Sequence, residues 1–542
     1  MNLLKTKEVK SNGDSSSVNK NKIVLINPPG RILVKPDGTI GERKHCTPPL
    51  GLAYLAANLR KAKYDVEAID MLAEGYETER LREQTIIYGL TIDETVERIR
   101  KANPILVGIG VLFSARAAEA FKLGEAIRKK LPHIKILYGG QHLSGMPLKS
   151  MENLFIDFII QGEADESIVQ LMDSLNGHLP INQVTGLFHR ENGVVKDNMD
   201  GIKPVVVGKG WKYYRHKEAP IPHKIDELPF PAWDLFPMEK YWASEVRFGL
   251  GDITRERFAI VQSTRGCPHV CSFCTSPLLS GYKAYRRRSV DHVIEEIHWL
   301  KKTYNIEEIQ FMDDNFFVSV PRVKKLCKRL IEEFPDLVFS APGGAEVNSL
   351  DDELIDLLAK TNFHKLMLAI EAGSEEIQEK RVDKKVKLHR VPHVIQTIRD
   401  KGMTTHGLFM IGFPDETKEQ MDRTINFAKS LDLDDFSILI VTPLPGTPLY
   451  DECMDRDLLL EGFDINDLCY GNSNIKLRDV QTKDLERLRR ETWLDMKKRK
   501  MVSSQLAGTK MHGAHKQFKA PEEYEKAGLK IDPSSLKKQE RI

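Results

Sequence analysis

The sequence predicts an α/β protein with an N-terminal doubly wound, Rossmann-like domain, a (βα)6 partial TIM barrel and a helical C-terminal region. Two observations support this prediction. The chain has 542 residues, too many for one core of ordinary size. Short apolar strands also alternate with amphipathic helices in two separate series, a pattern typical of parallel sheets.

The first series predicts a domain at 21–180, behind an N-terminal stretch, 1–20, whose Ser, Asn and Lys content predicts disorder. The domain begins with the β-rich run Lys22–Pro29 and the helix Pro49–Ala62. Its later elements are strand Tyr64–Asp70, helix Thr91–Ala102, strand Ile105–Phe113, helix Ala115–Leu131, strand Ile134–Gly140 and the stretch Ile156–Met172. Ligands of such sheets lie outside the carboxyl ends of the strands.

The second series predicts the barrel at 246–455, after a proline-rich linker at 181–245 and before a charged helical region at 456–542. Its strands are predicted at Phe258–Thr264, Ile306–Asp314, Leu337–Gly343, His364–Gly373, Thr404–Gly412 and Phe436–Pro443. Six βα units of this kind bind ligands at the C-terminal ends of the strands.

Composition narrows the class of protein. Basic and acidic side chains nearly balance, 80 against 78, so nothing indicates a nucleic-acid partner. The N-terminus lacks the apolar core of a signal peptide, and no later run is long and apolar enough to cross a bilayer. We therefore expect a cytoplasmic protein without a membrane partner. The seven cysteines form no disulfide framework, and Cys327, Cys453 and Cys469 are predicted to be small buried hydrophobes.

Three cysteines stand together after the first barrel strand. Cys267, Cys271 and Cys274 have the spacing C-x3-C-x2-C. A structural zinc site would need a fourth ligand, and no second Cys or His pair is placed to supply it. His269 lies inside the loop and is predicted to be a solvated loop residue. Thiolates also hold iron–sulfur clusters, and a cubane held by three of them keeps one iron open to a substrate or cofactor.

The segment CPHVCSFC, with the aromatic Phe273 before its third cysteine, resembles the cluster loop of the radical S-adenosylmethionine (SAM) superfamily. Four segments at the ends of later strands agree with it, namely Phe311–Asn315, Ala369–Glu376, Met410–Thr417 and Thr442–Tyr450. The resemblance implies a [4Fe–4S] cluster on the three cysteines and SAM on the open iron. It also implies that Glu371 accepts the ribose hydroxyls and that the adenine lies against the Phe273 turn.

The glycines and aspartates of these segments allow more than one interpretation. Backbone at Gly343, Gly373 and Gly412 would approach the ligand closely, but each glycine is equally explained as a turn after a strand. Asp313 and Asp314 suggest acid–base chemistry, although neighbours at a strand end point to opposite sides, so at most one would face the pocket. Asp415 departs from the family pattern, which has glycine there. No catalytic residue is assigned.

The domain in front of the barrel has its own resemblance. The segments His45–Ala56, Ile136–Pro147 and Phe158–Ile168 resemble the cobalamin-binding domain of class B radical SAM methyltransferases. The cobalamin contacts that this resemblance implies are Val111, Ser114, Gly139, Gly140, His142, Gly162 and Glu163. For His142, as for His45, a loop histidine satisfied by water or backbone is an equal alternative. The segment Asn27–Glu42, which follows the first strand, contains no histidine, and this departure from mutase-type domains implies a cobalt without a protein imidazole.

Within this class the chain most resembles phosphonate methylases, through Met71–Glu79, Phe230–Trp242 and Arg286–Ile297. The run Arg286–Arg288 suits a phosphate, but a solvated basic surface is the alternative we favour. Our hypothesis is a cobalamin-dependent radical SAM methyltransferase that methylates an unactivated carbon of a small molecule, with an electron donor such as flavodoxin or ferredoxin as partner. Three alternatives stay open: cyclisation or oxidation without methyl transfer, a non-catalytic cobalamin sensor, and methylation of a protein side chain, for which the region beyond Asp455 would form part of a large cleft.

Overall fold

The structure is a computed structural model. It describes residues 18–34, 44, 46–82, 85–198, 203–207, 211–215, 224–244, 255–281, 284–468 and 470–506. Cys469, His45 and residues 1–17 of the stretch predicted to be disordered lie outside the described residues.

The first domain is built on a seven-stranded sheet with the strand order β10-β9-β8-β7-β6-β1-β3. Its elements are β1 (Asn19–Asn27), β2 (Gly30–Leu33), α1 (Leu50–Lys61), β3 (Asp65–Asp70), α2 (Met71–Glu74), β4 (Glu79–Arg82), β5 (Thr85–Tyr88), α3 (Ile92–Ala102), β6 (Pro104–Gly110), α4 (Ala117–Lys130), β7 (Lys135–Gly139), α5 (Gln141–Gly145), α6 (Pro147–Ser150), β8 (Phe158–Ile160), α7 (Ser167–Leu175), β9 (Leu187–Glu191) and β10 (Val194–Asp197). Strands β3, β1, β6, β7 and β8 run parallel, which confirms the doubly wound core. The hairpin β9–β10 adds two antiparallel strands from the segment predicted to be a linker.

Both faces of this sheet are buried. Val24 and Val107 point to one core, whereas Leu25 and Leu106, their neighbours in sequence, point to the other. Strands buried on both faces need apolar residues at successive positions, which explains the continuous apolar runs of β1 and β6. A smaller antiparallel sheet, β2-β5-β4, lies beside the main one.

The segment between the domains packs against both of them. It contains the ribbon of β11 (Lys203–Val207) with β12 (Trp211–Arg215) and the helix α8 (Met238–Ala243). The hydroxyl of Tyr241 donates to Asp70 at the end of β3, at 2.5 Å. The indole of Trp242 donates to the carbonyl of Phe258 at the start of the barrel, at 2.8 Å. Helix α8 therefore joins the two domains.

The barrel contains six parallel strands in chain order, which confirms the predicted βα series. Its elements are β13 (Phe258–Val261), β14 (Thr264–Arg265), α9 (Ser276–Ser280), β15 (Arg286–Arg287), α10 (Val290–Tyr304), β16 (Glu308–Phe311), α11 (Val320–Glu333), β17 (Val338–Ser340), α12 (Asp352–Lys360), β18 (Lys365–Glu371), α13 (Glu375–Arg381), α14 (Val391–Asp400), β19 (Thr404–Ile411), α15 (Lys418–Ser430), β20 (Asp435–Ile440) and α16 (Pro448–Asp455). The halves β13-β16-β17 and β18-β19-β20 are joined by the parallel bridges Phe339 to Phe363 and Ala345 to Leu368. Cys327 and Cys453 are buried, as predicted.

Before the long helix α17 (Thr482–Leu506), the chain returns to the first domain. The side-chain carbonyl of Asn466 accepts a hydrogen bond from the backbone N–H of Ala118 at 3.1 Å. Asp467 forms an ion pair with Arg31 at 2.9 Å. Residues of the first domain and of the segment before α17 thus meet near the carboxyl edge of the first sheet. In the described part of the chain, no helix combines the length and apolar character that a membrane span needs.

Candidate cofactor site

The three cysteines lie on one loop between β14 and α9, at the carboxyl end of the first barrel strand. Cys267 and Cys271 are buried and Cys274 is half-buried. Burial raises the pKa of all three thiols, that of Cys271 to about 12. Burial raises the pKa of Cys327, on a barrel helix, to about 12 as well, so the shift reflects burial alone, and a metal ion bound by the three loop thiols would have to displace their protons.

Each sulfur also faces a hydrogen-bond donor. The backbone N–H of Asp383 lies 3.4 Å from Cys271 Sγ, and that of Ser276 lies 3.5 Å from Cys274 Sγ. The side-chain amide of Asn315 lies 3.9 Å from Cys267 Sγ. Hydrogen bonds to cluster sulfurs stabilise their negative charge and tune the reduction potential. The donors therefore fit an iron–sulfur cluster bound by these thiolates.

The end of β16 fixes the start of the loop. Asp313 is buried and accepts hydrogen bonds from the backbone N–H of Ser263 (2.6 Å), from its hydroxyl (2.6 Å) and from the N–H of Thr264 (2.8 Å). Asp314 accepts from the N–H of Gly266 at 3.0 Å. Burial raises the pKa of Asp313 to about 6. The structure thus places both aspartates against the backbone that leads into the cysteine loop.

A charge pair lies beside the sulfurs. Glu371, the last residue of β18, has φ +68°, and its carboxylate pairs with the ammonium of Lys384 at 2.8 Å. Burial acts against the charge of Lys384, but Glu371 and the Cys271 sulfur raise the pKa of Lys384 above its ordinary value. Lys384 was not predicted as a site residue, because the segment 384–387 contains three lysines and the sequence does not indicate which of them is buried.

Phe273 lies on the other side of the loop, with its ring 5.8 Å from that of Phe413. Gly412, just before Phe413, has φ +90°, which favours glycine. The other two predicted glycines pack closely against atoms of the protein itself. A Cβ at Gly343 would lie 2.4 Å from the Asp313 carbonyl oxygen, and one at Gly373 would lie 2.8 Å from Phe427 Cβ. Close approach of these backbones to SAM therefore stays a prediction.

The turn after β19 explains the unusual Asp415. This residue has φ +63°, where glycine is favoured and aspartate is tolerated. Its carboxylate is held by Arg456 at 2.7 and 2.8 Å. The neighbouring Glu416 is buried and accepts hydrogen bonds from the N–H groups of Gly412 (2.6 Å) and Phe413 (3.0 Å). The turn keeps its shape without glycine.

At the carboxyl edge of the first sheet, the residues predicted to contact cobalamin lie close together. Gly140 has φ +102°, and a Cβ there would lie 2.6 Å from the carbonyl oxygen of Val111. His142 Nδ1 lies 3.1 Å from the hydroxyl of Ser114, and burial lowers the pKa of His142 to about 4, so its ring is neutral. Gly139 has only the Ile160 carbonyl oxygen, at 3.9 Å, within van der Waals reach of a Cβ. Contact with cobalamin stays a prediction for all five residues.

Two apolar side chains at this edge belong to the turn Val111–Ser114, which the resemblance implies would line the cobalamin cleft. Leu112 and Phe113 follow β6 and are 52% and 43% exposed. Their position in an apolar run gave no indication that they point to solvent.

Gly162 and Glu163 follow β8, and Glu163 connects the two domains. The N–H of Gly162 donates to Ser144 at 2.9 Å. Glu163 forms ion pairs with Arg286 and with Arg265, the latter at 3.0 Å. Burial acts to raise the pKa of Glu163, but these two arginines bring it below its ordinary value. Its role as a cobalamin contact stays a prediction.

The solvated basic surface favoured for Arg286–Arg288 is only partly observed. Arg286 pairs with Glu163, and Arg288 is buried and pairs with Glu296. Arg287 is the more exposed member and donates to Ser319 at 3.2 Å. His269, expected to be solvated, lies 2.9 Å from a carboxylate oxygen of Glu346.

Comparisons with known proteins agree with this arrangement. The profile of the Radical SAM superfamily matches residues 261–428, and that of the B12 binding domain matches residues 36–172. An uncharacterized methyltransferase of Pyrococcus horikoshii is 32% identical, over 81% of this chain and 84% of the relative. The cytidylyl-2-hydroxyethylphosphonate methyltransferase of Streptomyces wedmorensis is 29% identical, over 80% of this chain and 82% of the relative.

A solved structure shares the fold. It is that of the radical SAM methyltransferase TsrM from Kitasatospora setae, with cobalamin and a [4Fe–4S] cluster bound. The TM-score is 0.61 at 17% identity, and the match covers 80% of this chain and 75% of that one. Both cofactor domains and a close relative along most of the chain place it among the cobalamin-dependent radical SAM methyltransferases, which use a [4Fe–4S] cluster, SAM and cobalamin.

Proposed function

We propose that the enzyme methylates an unactivated carbon of a small molecule that carries a phosphonate or a nucleotidyl phosphonate. The observation that carries this proposal is that one interface joins the cysteine loop, with its Glu371–Lys384 pair, to the carboxyl edge of the first sheet. The acceptor class is supported by the name of the Streptomyces relative. Arg286 and Arg288 are held by protein carboxylates, so we do not assign the phosphonate to them.

The side chains have separable roles. Cys267, Cys271 and Cys274 would each bind one iron of the cluster. Glu371 would accept hydrogen bonds from the ribose hydroxyls of SAM, and Lys384, buried beside it, would pair with the SAM carboxylate. When bound, the cluster, SAM and cobalamin supply an electron, a 5′-deoxyadenosyl radical and a methyl group. The remaining task of the protein is to hold these groups in place and to exclude water.

The overall reaction balances as follows. One acceptor C–H group, two molecules of SAM and two electrons give the methylated acceptor, 5′-deoxyadenosine, methionine and S-adenosylhomocysteine. We propose that a flavodoxin- or ferredoxin-class donor provides the electrons in a reducing compartment such as the cytoplasm.

Anaerobic incubation of the reconstituted enzyme with methyl-labelled SAM tests the proposal across a panel of phosphonates and nucleotidyl phosphonates. We expect label in the acceptor together with 5′-deoxyadenosine. Formation of 5′-deoxyadenosine with a modified but unlabelled acceptor would favour cyclisation or oxidation. Absence of 5′-deoxyadenosine with every acceptor would favour the sensor. The variant with Cys267, Cys271 and Cys274 changed to Ala is the control, and it should lose the cluster absorbance but still bind cobalamin.

A further inference from the structure

Arg265 occupies an unusual position between the two domains. It precedes Gly266 and Cys267, and it is 8% exposed. Its guanidinium donates to both carboxylate oxygens of Asp165, at 2.7 and 3.3 Å, and to Glu163 at 3.0 Å. The ring of Tyr54 lies 4.8 Å from the guanidinium carbon. Every one of these partners belongs to the first domain.

A second arginine strengthens the same interface. Arg286 on β15 lies opposite Arg265 on β14 in an antiparallel pair, and it also binds Glu163. The strand pair that leads into the cysteine loop therefore presents two guanidinium groups to two carboxylates at the carboxyl end of β8. We call these four side chains, Arg265, Arg286, Glu163 and Asp165, the interdomain ion cluster.

The chemistry of this cluster favours a role in positioning. Desolvating four charges is costly, so a buried ion cluster is weak evidence for stability alone. A guanidinium that binds a carboxylate through two parallel hydrogen bonds does fix the orientation of both partners. In the barrel, these bonds fix the orientation of the loop that carries Cys267. In the first domain, they fix the orientation of the sheet edge formed by Gly162 and Gly140.

We propose that Arg265 is a positioning residue for methyl transfer: it fixes the cobalamin-binding domain against the cluster loop, so that the two reaction centres keep a constant separation. A misplacement of about 1 Å at a reacting centre costs roughly a hundredfold in rate, so a fixed separation matters for the chemistry. The inference rests on the cofactors of the family and goes beyond the choice of acceptor.

Hydrogen exchange of the intact enzyme, measured by mass spectrometry, tests whether Arg265 fixes the first domain against the cysteine loop. This measurement needs no substrate. The variants are Arg265→Gln, which removes the charge, and Arg265→Lys, which keeps it without the planar fork. In Arg265→Gln we expect exchange in peptides spanning 158–168 and 258–267 to accelerate at least roughly tenfold, because a buried carboxylate pair loses its partner. Arg265→Lys should be intermediate, and peptides from α15 should be unchanged.

The matched control is Arg60→Gln, which breaks an exposed pair with Asp234 at 2.7 Å. Surface pairs contribute little, so its exchange should equal that of the wild type. Asp165→Asn is a second variant outside the cysteine loop, and it should accelerate exchange in the same two regions, because it removes the charge of the carboxylate that binds Arg265 through both oxygens. If Arg265→Gln does not retain its iron–sulfur cluster, this second variant tests the proposal in its place.

Electron paramagnetic resonance provides the cofactor measurement. With the reduced cluster and cob(II)alamin both bound, the wild type should give one narrow distribution of dipolar couplings. Arg265→Gln and Asp165→Asn should broaden it at unchanged iron and cobalamin content. Wild-type exchange and an equally narrow distribution in both variants would overturn the proposal. These outcomes do not depend on finding an acceptor, so failure of the proposed reaction is a separate result.

Discussion

The buried carboxyl of Glu416 should make the stability of the barrel depend on pH. One carboxylate oxygen accepts two backbone N–H groups, and the other has no hydrogen-bond partner among the described residues. Burial raises the pKa of Glu416 from 4.5 to about 7 in spite of those donors. The folded state therefore binds this proton more tightly than the unfolded state. The contribution of this group to the free energy of unfolding is fully present below pH 4.5 and falls by about 3 kcal/mol as the pH rises through 7.

Glu416→Gln keeps a carbonyl oxygen for the two N–H groups and removes the titration. We expect the variant to gain about 3 kcal/mol on the wild type between about pH 4.5 and 8, which is roughly 6–12 °C in Tm for a domain of this size. Calorimetry at a series of pH values measures the difference in Tm, and the control is Glu419→Gln, exposed in the first turn of α15, the helix that follows Glu416. A difference that stays constant across the series would refute the reasoning.

Three further predictions concern the site. Lys384→Met should leave the iron–sulfur absorbance in place but weaken SAM binding at least roughly tenfold, as measured by equilibrium dialysis, because it removes the charged partner proposed for the SAM carboxylate. The control is Lys385→Met, at an exposed position, and it should bind SAM normally. Asp313→Ala should abolish cluster retention, because it strands two buried N–H groups and a hydroxyl at about 1–3 kcal/mol each, whereas Asp313→Asn should retain most of the iron. Equal iron content in those two variants would contradict the role given to Asp313. Gly140→Ala should lower cobalamin binding, measured by absorbance after gel filtration, because the new Cβ would lie 2.6 Å from a carbonyl oxygen. The control is Gly193→Ala, which is also at positive φ but has no atom within 4 Å of the new Cβ, and it should bind cobalamin normally.

The sequence indicates those features that depend on local pattern. The six barrel strands follow from apolar runs of the correct length, and the cysteine loop follows from spacing within eight residues. The hairpin β9–β10 was missed because its second strand has only four residues, of which two are charged and two are exposed, and resembles a loop. Lys384 and Arg265 depend on contacts between distant segments, which no periodicity records. Arg265 lies 100 residues from Asp165, so its partner becomes evident only when the domains are packed.

The return of the C-terminal segment to the first domain has a consequence during synthesis. The backbone N–H of Ala118 is met by Asn466, which follows it by 348 residues. At ribosomal rates of about 5–20 residues per second, that partner is made roughly 20–70 s later. Until then water satisfies this N–H group of the nascent first domain, so docking of the segment around Asn466 is a late step in folding.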